Sequence, residues 1–174
     1  MVYVKFGVNV GSEFSGNHFC VVLNKNDNKR NELITVVPLT SKDTKFTIRL
    51  EENLVSKAIE KLEHDGLILH DDLTRIKSLH EGFIESDADS KNSKTALEKK
   101  LNNIEEDYEQ LAKIIKRYER FAGKLTYAIP NQIVTISKNR VTTLNKYDPT
   151  GHISFSENTL KVIEDFIRIH ILSN

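Results

Sequence analysis

One cysteine in 174 residues, Cys20, excludes a disulfide framework and any metal site built from several cysteines. There is no net charge: 25 basic residues balance 25 acidic ones. A uniformly basic nucleic-acid binder is therefore excluded, while a local basic patch is not. No apolar run approaches the roughly 18 residues of a membrane span. No basic stretch followed by an apolar run opens the chain, as it would in a secretory signal. The expectation is a soluble, cytoplasmic protein with no membrane partner. There is no phosphate-binding glycine loop, no GxSxG and no HExxH, so three common catalytic signatures are missing. No cofactor and no metal are expected. What is present is a modest hydrophobic content, 39%, enough for a core, and 29% charged residues, which point to a long solvated helix.

The charge is unevenly spread. Residues 1–50 carry seven Lys/Arg and four Asp/Glu, residues 51–122 carry twelve and seventeen, and residues 123–174 carry six and four. The positive flanks suit an anionic polymer that the negative middle would repel; ordinary scatter around one acidic helical segment gives the same numbers. Pattern divides the chain at the same places. Val2, Val4 and Phe6 alternate with Tyr3 and Lys5, as in a half-buried strand. A glycine-rich loop, residues 7–16, leads to the apolar strand 19–23, and a polar turn leads to the β-branched strand 33–39. Residues 46–50 alternate again, with Phe46, Ile48 and Leu50 inward. Four short strands about ten residues apart argue for a small barrel or sandwich.

The middle reads as helical. Residues 53–64 and 72–84 have helical apolar spacing, with Gly66 and the run 67–69 as an interruption. Residues 85–94 are polar and read as a mobile link. Residues 95–122 carry a heptad seam: Leu97, Leu101, Ile104, Tyr108, Leu111, Ile115, Tyr118 and Ala122. Gly123 stops the helix. Two arrangements fit the seam, an antiparallel hairpin with the preceding helix or a coiled-coil arm that docks a partner; short helices favour the hairpin. Beyond it the strand pattern returns at 125–129, 133–136, 141–144 and 153–155. Ser156 then caps a final helix with Leu160, Ile163, Ile167 and Ile171 on one face, set to cover the sheet. The fold class is thus α+β: sheet-forming flanks, 1–50 and 123–174, interrupted by a helical hairpin or coiled-coil insertion, 51–122.

Chemistry concentrates in one place. The loop from Gly11 to His18 mixes glycines, Ser12, Ser15, Glu13 and Asn17, and it runs straight into a buried strand. Thr40, Ser41 and Lys42 follow the strand 33–39. If 19–23 and 33–39 pair as a hairpin, His18 and Thr40 meet at one end. An imidazole with its ordinary pKa near 6.5 moves protons at neutral pH, and hydroxyls donate hydrogen bonds to phosphate. A turn with a solvent-exposed histidine is the other reading of the same residues. His64, His70 and His80 are spaced six and ten apart, which is not a helical ligand spacing.

These residues resemble a known family. Val2-Tyr3-Val4-Lys5-Phe6, the loop Asn9-Val10-Gly11-Ser12-Glu13, and Gly16 before Val21-Val22-Leu23 resemble the opening of the MazF/PemK endoribonuclease toxins of bacterial toxin–antitoxin pairs. Val36-Val37-Pro38-Leu39-Thr40-Ser41 resembles a second signature of that family, and the segment from Asn131 to Arg140 a third. The resemblance covers about 100 residues in two blocks and leaves 51–122 unmatched. It implies a small SH3-like β-barrel with a C-terminal helix, the insertion enlarging one connection. It implies the toxin of a type II pair: a metal-independent endoribonuclease on single-stranded RNA, a homodimer, inhibited by a cognate antitoxin protein. On the matching positions it implies His18, Thr40 and Ser41 as catalytic residues. Ser12, Glu13, Asn17, Lys42, Gln132, Lys138 and Arg140 are then RNA-binding residues. The family usually has Arg-Pro where this chain has His18-Phe19, and many members have Asp where it has Asn131. His18 is the better general base of the two at pH 7. The departure also leaves room for a barrel that binds RNA or protein without cleaving, its helical insertion mediating the interaction.

Overall fold

The computed structural model describes residues 1–8, 10–28, 30–85 and 91–172. Among them lie six strands and three α-helices. In chain order these are β1 (Val2–Gly7), β2 (Gly16–Val22), β3 (Leu33–Thr40), β4 (Ile48–Arg49), α1 (Leu54–Glu85), α2 (Lys91–Glu119), β5 (Tyr127–Ala128), β6 (Val134–Ser137) and α3 (Glu157–His170). Two compact units result: a sheet unit, Met1–Lys57 with Phe121–Asn174, and a helical unit, Ala58–Arg120.

The sheet unit is antiparallel throughout and is organised on β3, which pairs with β2, β5 and β6. One edge of β3 pairs with β6 over Leu33–Val36 and with β5 over Leu39–Thr40. Pro38 sits between these two ladders, where its missing N–H interrupts neither; its carbonyl accepts from Ile129 N at 2.9 Å. The alternation in β1 holds: Val2, Val4 and Phe6 are buried and join Cys20, Ile34, Val36 and Ile136 in the core. The path of strands does not close into a continuous barrel. Beyond β6 the chain returns to β1 through an isolated bridge, Val4 to Val141, and the bond from Thr142 N to Tyr3 O.

Two expected strands are absent from the described residues. At 141–144, Leu144 N bonds the buried Asp148 carboxylate at 2.9 Å, so a side chain claims the group a ladder would use. At 153–155, the Ile153 carbonyl accepts from the Met1 amine. The strand expected over 125–129 shrinks to Tyr127–Ala128. Phe46, expected inward, is half exposed, because β4 is only Ile48–Arg49. Ser156 caps α3 as read, its Oγ accepting from Thr159 N. Of the face expected to cover the sheet, only Ile163 is fully buried; Leu160 and Ile171 are more than a third exposed.

The helical unit differs more from expectation. Residues 53–64 and 72–84 are not two helices but parts of the single α1. Gly66 costs about 1 kcal/mol against alanine in a helix interior. Packing outweighs that, since Leu62 and Ile76 on either side are buried. Leu67 and Ile68, part of an apolar run that suggests strand or turn, are simply exposed on the helix surface. α2 begins at Lys91, so the link expected over 85–94 is helical at Glu85 and from 91 onward, while 86–90 lie outside the described residues. The two helices run antiparallel. Lys77 pairs with Glu105 at 3.2 Å, His80 approaches Glu98 at 3.7 Å, and the His70 and Tyr108 rings are 6.3 Å apart. The hairpin, not a free coiled-coil arm, uses the heptad seam: Leu111 and Tyr118 are buried, while Tyr108 is 40% exposed. No helix among the described residues is long and apolar enough to cross a membrane.

Candidate functional site in the sheet unit

The register between β2 and β3 builds the site. Cys20 faces Pro38, Val21 faces Val37 and Val22 faces Val36. Followed outward, the same register sets His18, near the start of β2, beside Thr40 at the end of β3. Gly16 starts β2 at φ +81°, a left-handed conformation that glycine adopts without strain and that swings the loop into the strand. The two strand ends open on a cavity of about 220 Å³, to which Asn17, His18, Thr40, Ser41 and Lys42 all contribute. Thus five of the ten expected site residues line one cavity.

His18 is half-buried. Its Nε2 lies 3.1 Å from Ser15 O, and its ring is tilted at 4.2 Å on Phe14. Burial holds its pKa below the ordinary 6.5, against the opposing pull of the Ser15 and Leu39 carbonyls, which favour the charged ring. The imidazole is therefore neutral at pH 7, the form that can accept a proton. Thr40 Oγ1 accepts from Lys42 N at 3.1 Å. With an acceptor position occupied by the main chain, its own proton is left to donate. Cys20, one residue beyond Phe19, is buried, and burial pushes its thiol up, so it is not a nucleophile at neutral pH.

The other expected residues divide. Glu13, Gln132 and Arg140 line a second groove with Phe6, Phe14 and the β6 strand. Gln132 Nε2 bonds Ser12 O at 3.3 Å, Arg140 bonds Phe6 O, and Glu13 accepts from Val10 N at 3.3 Å. Phe14 lines this groove and packs against the His18 ring, which lines the first cavity. Lys138 is not brought to either. It pairs with Asp27 at 2.7 Å and donates to Asn28 O at 2.8 Å, pinning the β2–β3 turn. Sequence reasoning missed Tyr3, Phe19, Phe121 and Lys124, which also line the cavity. The available signal was Gly123, read only as a helix stop. At φ +69° it turns the chain so that Phe121 and Lys124 come back to the sheet. Among the described residues, no three His, Cys, Asp or Glu side chains converge as a metal site would require.

Comparison with protein families gives one finding. Residues 1–84 match the family described as the PemK-like, MazF-like toxin of type II toxin-antitoxin systems. The match includes His18, Thr40, Ser41 and Lys42 and stops before Gln132, Lys138 and Arg140. No curated protein and no solved structure matches the chain.

Proposed function

We propose, for a chain whose first 84 residues identify it with the PemK-like, MazF-like toxins, that it is the toxin of a type II pair and an endoribonuclease cleaving single-stranded RNA. The observation that carries this reading is the meeting of a neutral, half-buried imidazole with two hydroxyls in one cavity. His18 takes the 2′-OH proton. The 2′ oxygen attacks the adjacent phosphorus, and the bond from phosphorus to the 5′ oxygen breaks. The departing oxygen takes a proton from water and leaves as a 5′-hydroxyl, and a 2′,3′-cyclic phosphate remains. Thr40 and Ser41 donate to the oxygens that gain charge in the transition state. Lys42 and Asn17 hold the strand at the cavity, and Arg140, Gln132 and Glu13 hold it along the second groove, with Ser12 positioning Gln132 through its carbonyl. The step needs only a base and donors, so it runs without a metal. The sheet unit carries the site in a cytoplasmic homodimer restrained by an antitoxin, and the helical unit is accessory.

The test is long single-stranded RNA incubated with the chain, and with His18→Ala, in excess EDTA. Defined fragments with cyclic phosphate ends, lost in the variant, are expected. A second reading rests on the His18 ring itself, stacked on Phe14 and bonded to Ser15 as a structural imidazole would be. On that reading the unit binds RNA or a protein without cutting, and the RNA stays intact in both samples.

A further inference from the structure

The turn Phe121–Lys124 lies beyond the residues that match the family, yet it forms part of the cavity wall. It is held on both sides. Lys124 N bonds Phe121 O at 3.2 Å, and Lys124 O accepts from Asn53 Nδ2 at 3.0 Å. The Phe121 ring stands edge-to-face against Phe19 at 5.4 Å, and Phe19 in turn against Tyr3 at 4.9 Å. The Lys124 ammonium lies 5.9 Å from the Phe121 ring centre. The hollow therefore has an aromatic and aliphatic interior, the two hydroxyls of Thr40 and Ser41, and two lysines, Lys42 and Lys124. Its volume, about 220 Å³, is below the roughly 300–1,000 Å³ that encloses a drug-sized ligand. Such a slot suits one flat, uncharged ring attached to an anionic strand.

We infer that the Phe121–Lys124 turn is the base-selecting wall of the cleavage cavity. One unstacked nucleobase enters against the Phe121 ring, and Lys124 holds the phosphate beside it. The inference rests on the ribonuclease reading above and adds to it the residues that choose the cleavage site. Neither residue reacts; both position the substrate. Aromatic stacking tolerates every base but favours the larger ones, so the wall sets a preference and not a strict code.

The experiment compares the full chain with Phe121→Leu and Lys124→Gln. The first keeps apolar volume and removes the π face. The second is an exposed change that leaves the fold alone, and thermal melts check both. Cleavage sites are mapped on a long RNA, and KM and kcat are measured separately. Binding is read with a fluorescent mixed-sequence 2′-O-methyl oligonucleotide, which has no free 2′-OH and is not cut. Phe121→Leu is expected to raise KM about tenfold, more than it lowers kcat, and to redistribute the cleavage sites. Lys124→Gln is expected to reduce the slope of log affinity against log salt by about 0.7, one phosphate contact on a single strand. Unchanged site distribution, KM and salt slope in both variants overturn the inference while leaving the cleavage reading intact. Failure of the unaltered chain both to bind and to cut overturns the two together.

Discussion

At the scale of single residues, the proposed mechanism gives His18 two jobs that pull against each other. Its Nε2 is set on the Ser15 carbonyl, 3.1 Å away, and its ring on Phe14, so it orders the loop. As a base it must also meet the substrate with a lone pair. Burial decides the protonation: the folded pKa lies below 6.5, so the unfolded chain binds the proton more readily. The imidazole's contribution to stability is therefore complete above pH 6.5 and is lost as pH falls below it. Activity follows the same direction. A plot of kcat/KM against pH is expected to be flat from pH 7 to 8, with its acid limb below 6.5, and His18→Ala is expected to lower kcat/KM about 10²–10⁴-fold. A limb centred above pH 7 would assign proton transfer to another group. The meeting of His18 with Thr40 was legible in sequence because antiparallel register is simple arithmetic along two adjacent strands. The fate of Lys138 was not. Its partner Asp27 is remote in sequence and adjacent only after β6 pairs with β3. Phe121 and Lys124 were hidden for the same reason, since the chain returns to the cavity only after the whole helical unit.

At the scale of elements, α3 is attached through Glu52, a residue of the β4–α1 connection. Its carboxylate accepts from Ser156 N at 3.0 Å, Thr159 Oγ1 at 2.9 Å and Lys57 Nζ at 2.9 Å. The bonds from Ser156, Lys57 and Thr159 hold its pKa down to about 2, against the ordinary 4.5. The negative charge also faces the N-terminus of α3, where the helix dipole favours it. A depressed carboxyl pKa stabilises the fold fully above about 4.5 and loses that effect as pH falls toward 2. Glu52→Ala is expected to cost about 1.5–3 kcal/mol at pH 7 in urea unfolding. The stability gap between the chain and Glu52→Gln should close as the pH is lowered to 2; a gap independent of pH would mean that packing, not charge, holds α3. In α1 the opposite change is expected to help. A Cβ on Gly66 would lie 3.5 Å from Leu111 Cδ2, an ordinary contact, so Gly66→Ala should raise stability by about 0.5–1 kcal/mol. A lower melting temperature would show that the close approach to Leu111 tolerates no methyl group. The sequence exposed β1, α2 and the Ser156 cap because each is written in local pattern. It misplaced the 67–69 run and the strands at 141–144 and 153–155. There, exposure on a helix, the Asp148 carboxylate and the Met1 amine decide, and none of these is a property of the segment itself.

At the scale of the whole molecule, the helical unit leaves and re-enters the sheet unit at neighbouring points. Leu50 N bonds Thr126 O at 2.9 Å, and Asn53 Nδ2 bonds Lys124 O at 3.0 Å, so the sheet unit is tied together just where the helices depart. The residues proposed for cleavage, and those proposed to select the base, all fall within the sheet unit. Replacing Ala58–Arg120 by a short Gly/Ser linker is therefore expected to leave a cooperative melt and RNA cleavage within about tenfold of the full chain's kcat/KM. The excised segment has 15 acidic and 11 basic residues. Its removal makes the remainder net positive, so association with RNA should also become faster at low salt and converge on the full chain's rate as salt rises. A shortened chain that melts cooperatively but does not cut would move the helical unit from accessory to participant. One that cuts with no salt-dependent gain would show that the acidic segment's charge has no influence on RNA approach.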